Sequence, residues 1–265
     1  MRIDDTLRTA SEGRSDVGRS RQRNEDSFVA DDELSLYVLG DGVGSYPHGD
    51  VASAESVAFV HAWIALWRET IDAFVGEPCR GTEELVCQLL ESAVHLAGRI
   101  VYGMGQLHPG AKGMSSTLSS VLCAGRLGFI AQVGDSRVYH ARARRCRQVT
   151  EDHTLANHCR RLGSMTPEQM ARMSAGNVIT RAVGHDERVQ VDTLTVPIEP
   201  GDRFLICSDG LHTYLKEGEL DDLVAGDRAG VAERLIELAN VRGGDDNVTV
   251  IVCDVLAARP RSELL

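Results

Sequence analysis

Residues 34–44 read LSLYVLGDGVG: a short apolar run that stops at Gly40-Asp41-Gly42. The same device returns at 204–210, FLICSDG, where Asp209-Gly210 follows a second apolar run. An aspartate and a glycine after a strand are ordinary turn chemistry. Two such turns, each ending a strand apolar on both faces, point to sheets covered on both sides, with carboxylates at the strand ends.

The chain has 265 residues, 43% hydrophobic and 25% charged, enough for one large domain with a sizeable core. Its net charge of −11 speaks against nucleic-acid or anionic-membrane partners, whose affinity comes from Lys and Arg. Seven cysteines are scattered without a CxxC, so a reducing, cytoplasmic setting is expected, and Cys123, Cys207 and Cys253 read as small core residues. The nine histidines form no HExxH, so zinc is not suggested. The first residues, MRIDDTLRTASEGRSD, have no apolar centre and do not read as a signal peptide. Val57–Trp67 is the longest apolar stretch and is too short to span a bilayer.

Outward from the opening stretch, Ser27–Ala30 and Leu34–Leu39 read as two strands joined by an acidic turn. Asp50–Thr70 and Glu83–Tyr102 read as helices. Thr117–Ala124, Leu127–Val133, Arg137–Ala141, Val189–Val196 and Asp202–Ser208 read as strands. Glu217–Val224 and Ala229–Val241 are helical, and Asn247–Val255 is a last strong strand. Strands and helices come in blocks, which favours an α+β fold with antiparallel sheets covered by helices. Residues 1–14 are expected to be a loose N-terminal segment, 15–256 one domain, and 257–265 a tail. Within the domain, 152–177 is polar and weakly amphipathic and reads as a flap.

Acidic residues recur at strand ends. Asp41 and Asp209 close strands, Asp135 follows AQVG, Asp246 opens the last strand, and Glu25-Asp26 precede the first. Each alone is more often a turn or cap residue. Together they suit a hard cation such as Mg2+ or Mn2+, which takes carboxylate and carbonyl oxygens. Glycine after the carboxylate lets the backbone approach closely. Arg21, with Arg23 as a local competitor, could grip a phosphate beside such a site.

At this point the chain resembles the metal-dependent serine/threonine protein phosphatases of the 2C class, the PPM family, especially the compact bacterial ones. The matching segments run in order: SDVGRSRQRNEDSF (15–28), LGDGVGSYPHGDVAS (39–53), GMSSTL (113–118), AQVGDSRVYHAR (131–142), VTEDHTL (149–155), NVITRAVG (177–184), DRFLICSDGL (202–211) and GGDDNVTVIV (243–252). The resemblance implies a four-layer αββα sandwich: two antiparallel β-sheets face to face, flanked by helices, with the metal site at one edge. It implies two Mn2+ or Mg2+ ions bridged by Asp41, with Asp209 and Asp246 completing one shell. The Gly42 carbonyl and Glu25 serve the other. Asp26 holds water behind the ligands, Asp135 with Asp209 matches a third, weaker metal site, and Arg21 matches the substrate-phosphate arginine. Asn247 sits beside a ligand, where it would orient it.

The chemistry implied is attack of a metal-bridging hydroxide on phosphorus, with charge neutralised by the metals and Arg21. Phosphoproteins are the expected substrates, a cognate Ser/Thr kinase and its targets the expected partners, and a monomer the expected state. Some family members place a histidine after the DG; here it is Val43, which leaves the general acid open. His48 is close in sequence, which does not by itself aim it at the site. DGMGG is replaced by DGVGS, so Ser45 stands for a glycine, and G-T-T-L appears as Ser115–Leu118. The alternatives are a same-fold phosphatase for another phosphoester or a single regulatory phosphoprotein, and a non-catalytic binding module.

Overall fold

The computed structural model describes residues 7–44, 47–166, 169 and 177–258. Ten strands form two antiparallel sheets of five. The first runs β1 (Arg8–Asp16), β10 (Val248–Leu256), β9 (Arg203–Cys207), β6 (Arg137–Arg142), β7 (Arg145–Gln148). The second runs β2 (Asp26–Asp31), β3 (Leu36–Asp41), β4 (Leu118–Ala124), β5 (Leu127–Val133), β8 (Asp192–Pro197).

Period-two alternation explains the layers, because successive side chains in a strand point to opposite faces. In β3, Tyr37 and Leu39 enter the core between the sheets, with Val121, Ile130, Phe204, Ile206 and Ile251. Leu36 and Val38 point the other way, into a core shared with helices α1 (Gly49–Leu66), α2 (Arg68–Gly76) and α3 (Arg80–Leu107). On the other sheet, Leu205, Cys207, Val248 and Val250 meet Leu211, Leu220, Val231 and Leu235. These belong to α5 (Asp209–His212), α6 (Leu220–Leu223) and α7 (Val231–Arg242). Three apolar interiors separate four layers, as the αββα expectation requires. Every β4 and β9 residue is buried, which is why those runs are apolar on both faces.

Several expected boundaries are corrected. The loose segment expected over 1–14 does not hold for residues 8–14: they pair along β10, from Arg8 opposite Leu256 to Asp16 opposite Val248. Residues 1–6 lie outside the described chain. The single helix expected over 50–70 breaks at Trp67, and the helix expected over 217–224 is only Leu220–Leu223. Within the flap, α4 (Leu155–Leu162) starts at Thr154, whose hydroxyl accepts from Asn157 N–H. Much of the remaining flap, and Ser45, lie outside the described residues. All seven cysteines are free, with Cys123, Cys207 and Cys253 buried as expected.

Candidate active site

Antiparallel pairing delivers the acids to one rim. Asp26 opens β2 directly opposite Asp41, which closes β3. Asp135 follows β5, Asp209 follows β9, and Asp246 precedes β10. The Asp41 backbone is fixed from β4. Its N–H donates to Thr117 Oγ1 at 3.0 Å, and its carbonyl accepts Thr117 N–H at 2.8 Å and Ser116 Oγ–H at 3.0 Å. Gly42 N–H donates to the Glu25 carbonyl at 3.1 Å. A Cβ on Gly42 would lie 2.5 Å from the Gly49 carbonyl and 2.8 Å from the Glu25 carbonyl, so glycine is required by close approach.

The carboxylates feel one another. Burial raises Asp41 well above the usual carboxylate range, and the charges of Asp26, Asp209, Asp135 and Asp246 push it further. Burial raises Asp26 to about 7 against hydrogen bonds from Thr249 and Ser208. Burial, then Asp209 and Asp152, raise Asp135 to about 7. Burial and Asp246 raise Asp209. Glu25 is raised by burial and by Asp50, while Arg21 opposes. Arg21 itself reaches across the rim, donating from Nη2 to Asp246 Oδ2 at 2.8 Å.

Among the described residues, no three carboxylate, histidine or cysteine side chains stand in ready-made ligating geometry. The donor set nevertheless fits a hard cation. Asp26 Oδ1 and Asp135 Oδ1 are buried without any hydrogen-bond partner, a costly state that a cation or its water would relieve.

Four residues that the sequence reading did not single out hold the site. Ser208 Oγ–H donates to Asp26 Oδ2 at 2.9 Å while its oxygen accepts Thr249 N–H at 2.9 Å. Thr117 fixes Asp41, and its hydroxyl meets Ser136 Oγ at 2.8 Å. His212 Nε2–H donates to the Asp135 carbonyl at 3.0 Å; burial, reinforced by Arg137, lowers its pKa to about 4, so the ring is neutral. His153 Nδ1 accepts Gly134 N–H at 3.1 Å, beside Asp135. The only hint in the sequence was small hydroxyls and His153 within the recognised segments, with His212 one residue past DRFLICSDGL. Asn247 acts on Glu25: its Oδ1 accepts Glu25 N–H at 2.8 Å, and its Nδ2 donates to the carbonyls of Val17 and Arg23. His48 sits at φ 64° before α1, with no side-chain cap bond.

A four-layer αββα sandwich with an acidic rim and an adjoining arginine defines the class of metal-dependent protein phosphatases. A family model described as protein phosphatase 2C matches residues 13–247. The chain belongs to that family, and it is a protein-serine/threonine phosphatase of the compact bacterial type. The "Serine/threonine phosphatase stp" of Listeria innocua is 32% identical over 249 residues, covering 92% of this chain and 95% of that protein. Among solved structures, the catalytic domain of the phosphatase PstP, described as in complex with two manganese ions, superposes with a TM-score of 0.73 at 32% identity. That match covers 95% of this chain and all of the other. PppA of Pseudomonas aeruginosa, described as a key regulatory component of T6SS, superposes with a TM-score of 0.77 at 28% identity, covering 95% and 100%. The family is metal-dependent. Among the described residues, no helix is long and apolar enough to cross a membrane.

Proposed function

We propose that this phosphatase hydrolyses phosphoserine and phosphothreonine with two Mn2+ or Mg2+ ions at its acidic rim. Asp41, Asp209 and Asp246, with Glu25 and the Gly42 carbonyl, would hold them, and Asp135 with Asp209 would hold a third, weaker one. Such ions supply Lewis acidity and a water of low pKa. The chain's own residues bind and orient. Arg21 exchanges its Asp246 contact for the substrate phosphate, for which its planar fork is suited. Asp26, anchored through Oδ2 by Ser208, keeps Oδ1 free to accept a proton from a water beside the phosphorus. Val43 brings no acid to the leaving oxygen, which leaves the general acid open. The expected substrates are phosphoproteins made by a cognate Ser/Thr kinase. The expected setting is the cytoplasm, and the expected state a monomer.

The observation that carries this reading is the convergence of five mutually repelling aspartates, two with buried orphan oxygens, beside Arg21. The test is hydrolysis of a phosphothreonine and a phosphotyrosine peptide with manganese, with chelator, and by Asp209→Ala. Manganese-dependent turnover of the phosphothreonine peptide, lost in chelator and in the variant by about 10³-fold or more, is expected. Turnover indifferent to chelator would sink it.

A further inference from the structure

A cavity of about 660 Å³ opens beside the acidic rim, and the mechanism above leaves it unused. Val43, the residue after Asp41-Gly42, forms one wall with Ser115. The segment 177–182 and Val189 form the other. The two walls are one continuous piece of backbone pairing. Gly42 bridges to Ser116, and Ser116 bridges to Val183. Val43 N–H donates to the Ser115 carbonyl at 2.9 Å, and Ser116 N–H to the Val183 carbonyl at 3.0 Å. The cavity is therefore registered to the catalytic aspartate, not attached loosely to it.

The far wall is also preorganised. Leu155 N–H donates to the Val178 carbonyl at 2.9 Å, and Thr180 N–H to the His153 carbonyl at 2.8 Å. Arg181 is spent on Asp192 at 2.6 Å, beside His153 Nε2, which lies 3.1 Å from the same carboxylate. Val43, Val178, Ile179, Ala182 and Val189 give the space an aliphatic side, and Ser115, Asn177, Thr180, His185 and Gln190 add polar groups to the same lining. Val178 is 53% exposed, a large apolar side chain left uncovered next to a polar site. The lining also carries Arg188 and Asp186, which are of opposite sign.

We propose that this cavity is a specificity subsite that takes an aliphatic side chain of the substrate, adjacent to the phosphorylated serine or threonine. The proposal rests on the phosphatase reading above and names the feature that reading leaves open. A protein substrate must lay residues on each side of the phosphorylated one, and this cavity is a preformed space, aliphatic on one side, continuous with Asp41. Apolar pockets discriminate side chains differing by a methylene by about 10–200-fold, so the preference is large enough to measure. A small aryl phosphate occupies only the rim and does not use the cavity.

The test is kcat/KM for phosphothreonine peptides that differ only in the flanking residue, leucine, alanine, glutamate or lysine, with p-nitrophenyl phosphate as the small substrate. The leucine peptide should exceed the alanine peptide by about 10-fold or more, mainly through KM. Val178→Asp should remove that advantage and lower the peptide to p-nitrophenyl phosphate ratio by a similar factor. Val241→Ser, on the remote and exposed last turn of α7, should leave both as they were. Equal rates for leucine and alanine peptides, with p-nitrophenyl phosphate still hydrolysed, would overturn the subsite alone. A glutamate preference lost in Arg188→Ala would overturn it in favour of an anion-reading pocket. Failure to hydrolyse any of these substrates with manganese would overturn both this proposal and the reading beneath it.

Discussion

At the residue scale, the aspartates depend on neutral neighbours more than on each other. Ser208 is the clearest case: one hydroxyl donates to Asp26 Oδ2 and accepts Thr249 N–H, tying the start of β2 to β10 across the two sheets. Ser208→Ala removes a donor from a buried carboxylate oxygen and the acceptor of a buried N–H, at a cost of about 1–3 kcal/mol. Partners behind a metal ligand set typically change affinity or activity by about 10–100-fold. Ser208→Ala is therefore expected to lower both kcat and manganese affinity within that range while the fold survives. Titration calorimetry with manganese, alongside turnover, checks this; unchanged affinity and kcat would show that Asp26 needs no such anchor. The carboxylates themselves were legible in the sequence because a glycine follows Asp41 and Asp209, and a strand precedes each. Ser208, Thr117 and His212 were not, because a hydroxyl or an imidazole in a strand or short helix has no local signature. Their role exists only once the ends of β3, β5 and β9 and the starts of β2 and β10 meet at one rim.

At the element scale, α5 is four residues long and is held by contact, not by helical propensity. Gly210 makes that contact possible: a Cβ there would collide with the Asn247 carbonyl and crowd Val248. The helix therefore rests backbone-on-backbone against the start of β10, and this is what keeps Asp209 beside Asp246. Gly210→Ala must push these elements apart, destabilising by about 1–3 kcal/mol or more and separating the two acids. A lowered urea midpoint together with weakened manganese binding is the expected pair of results. A loss of stability with unaltered metal affinity would mean that the acids do not depend on this packing. Strands that are near-continuously buried, such as β3, β4, β9 and β10, were legible because each feeds two cores. β1 and β7 escaped because edge strands need no such pattern: RTASEGRSD and RCRQ are charged, half-exposed and held by pairing to β10 and β6. The break at Trp67 escaped because the apolar run continues to it, with Phe59 stacked on Trp63 and Trp63 tilted against Trp67.

At the scale of the whole molecule, gathering like charges at one rim opposes folding, and a cation should reverse that cost. Asp26 and Asp135 rise from the ordinary aspartate value of 3.8 to about 7. In the metal-free protein the folded state then holds more protons than the unfolded one between these values. Stability must fall as pH rises through that window, on the order of 1.4 kcal/mol per pH unit for each group. Two buried histidines, His153 and His212, oppose this below pH 6.5, because their lowered values make the unfolded state bind the extra proton there. That contribution is half spent at pH 6.5 and fades over the next pH unit, while the raised carboxylates are still titrating. The expected outcome is a Tm in chelator that decreases from pH 6.5 to 7.5, and a manganese-induced rise in Tm that grows over the same interval, because ligands bind cations once deprotonated. Differential scanning calorimetry at fixed manganese and ionic strength, with Asp26→Asn and Asp135→Asn, decides it. Each variant should flatten the chelated slope. A chelated Tm that climbs across this interval, or a manganese shift independent of pH, would show that repulsion at the rim does not set the stability of the fold.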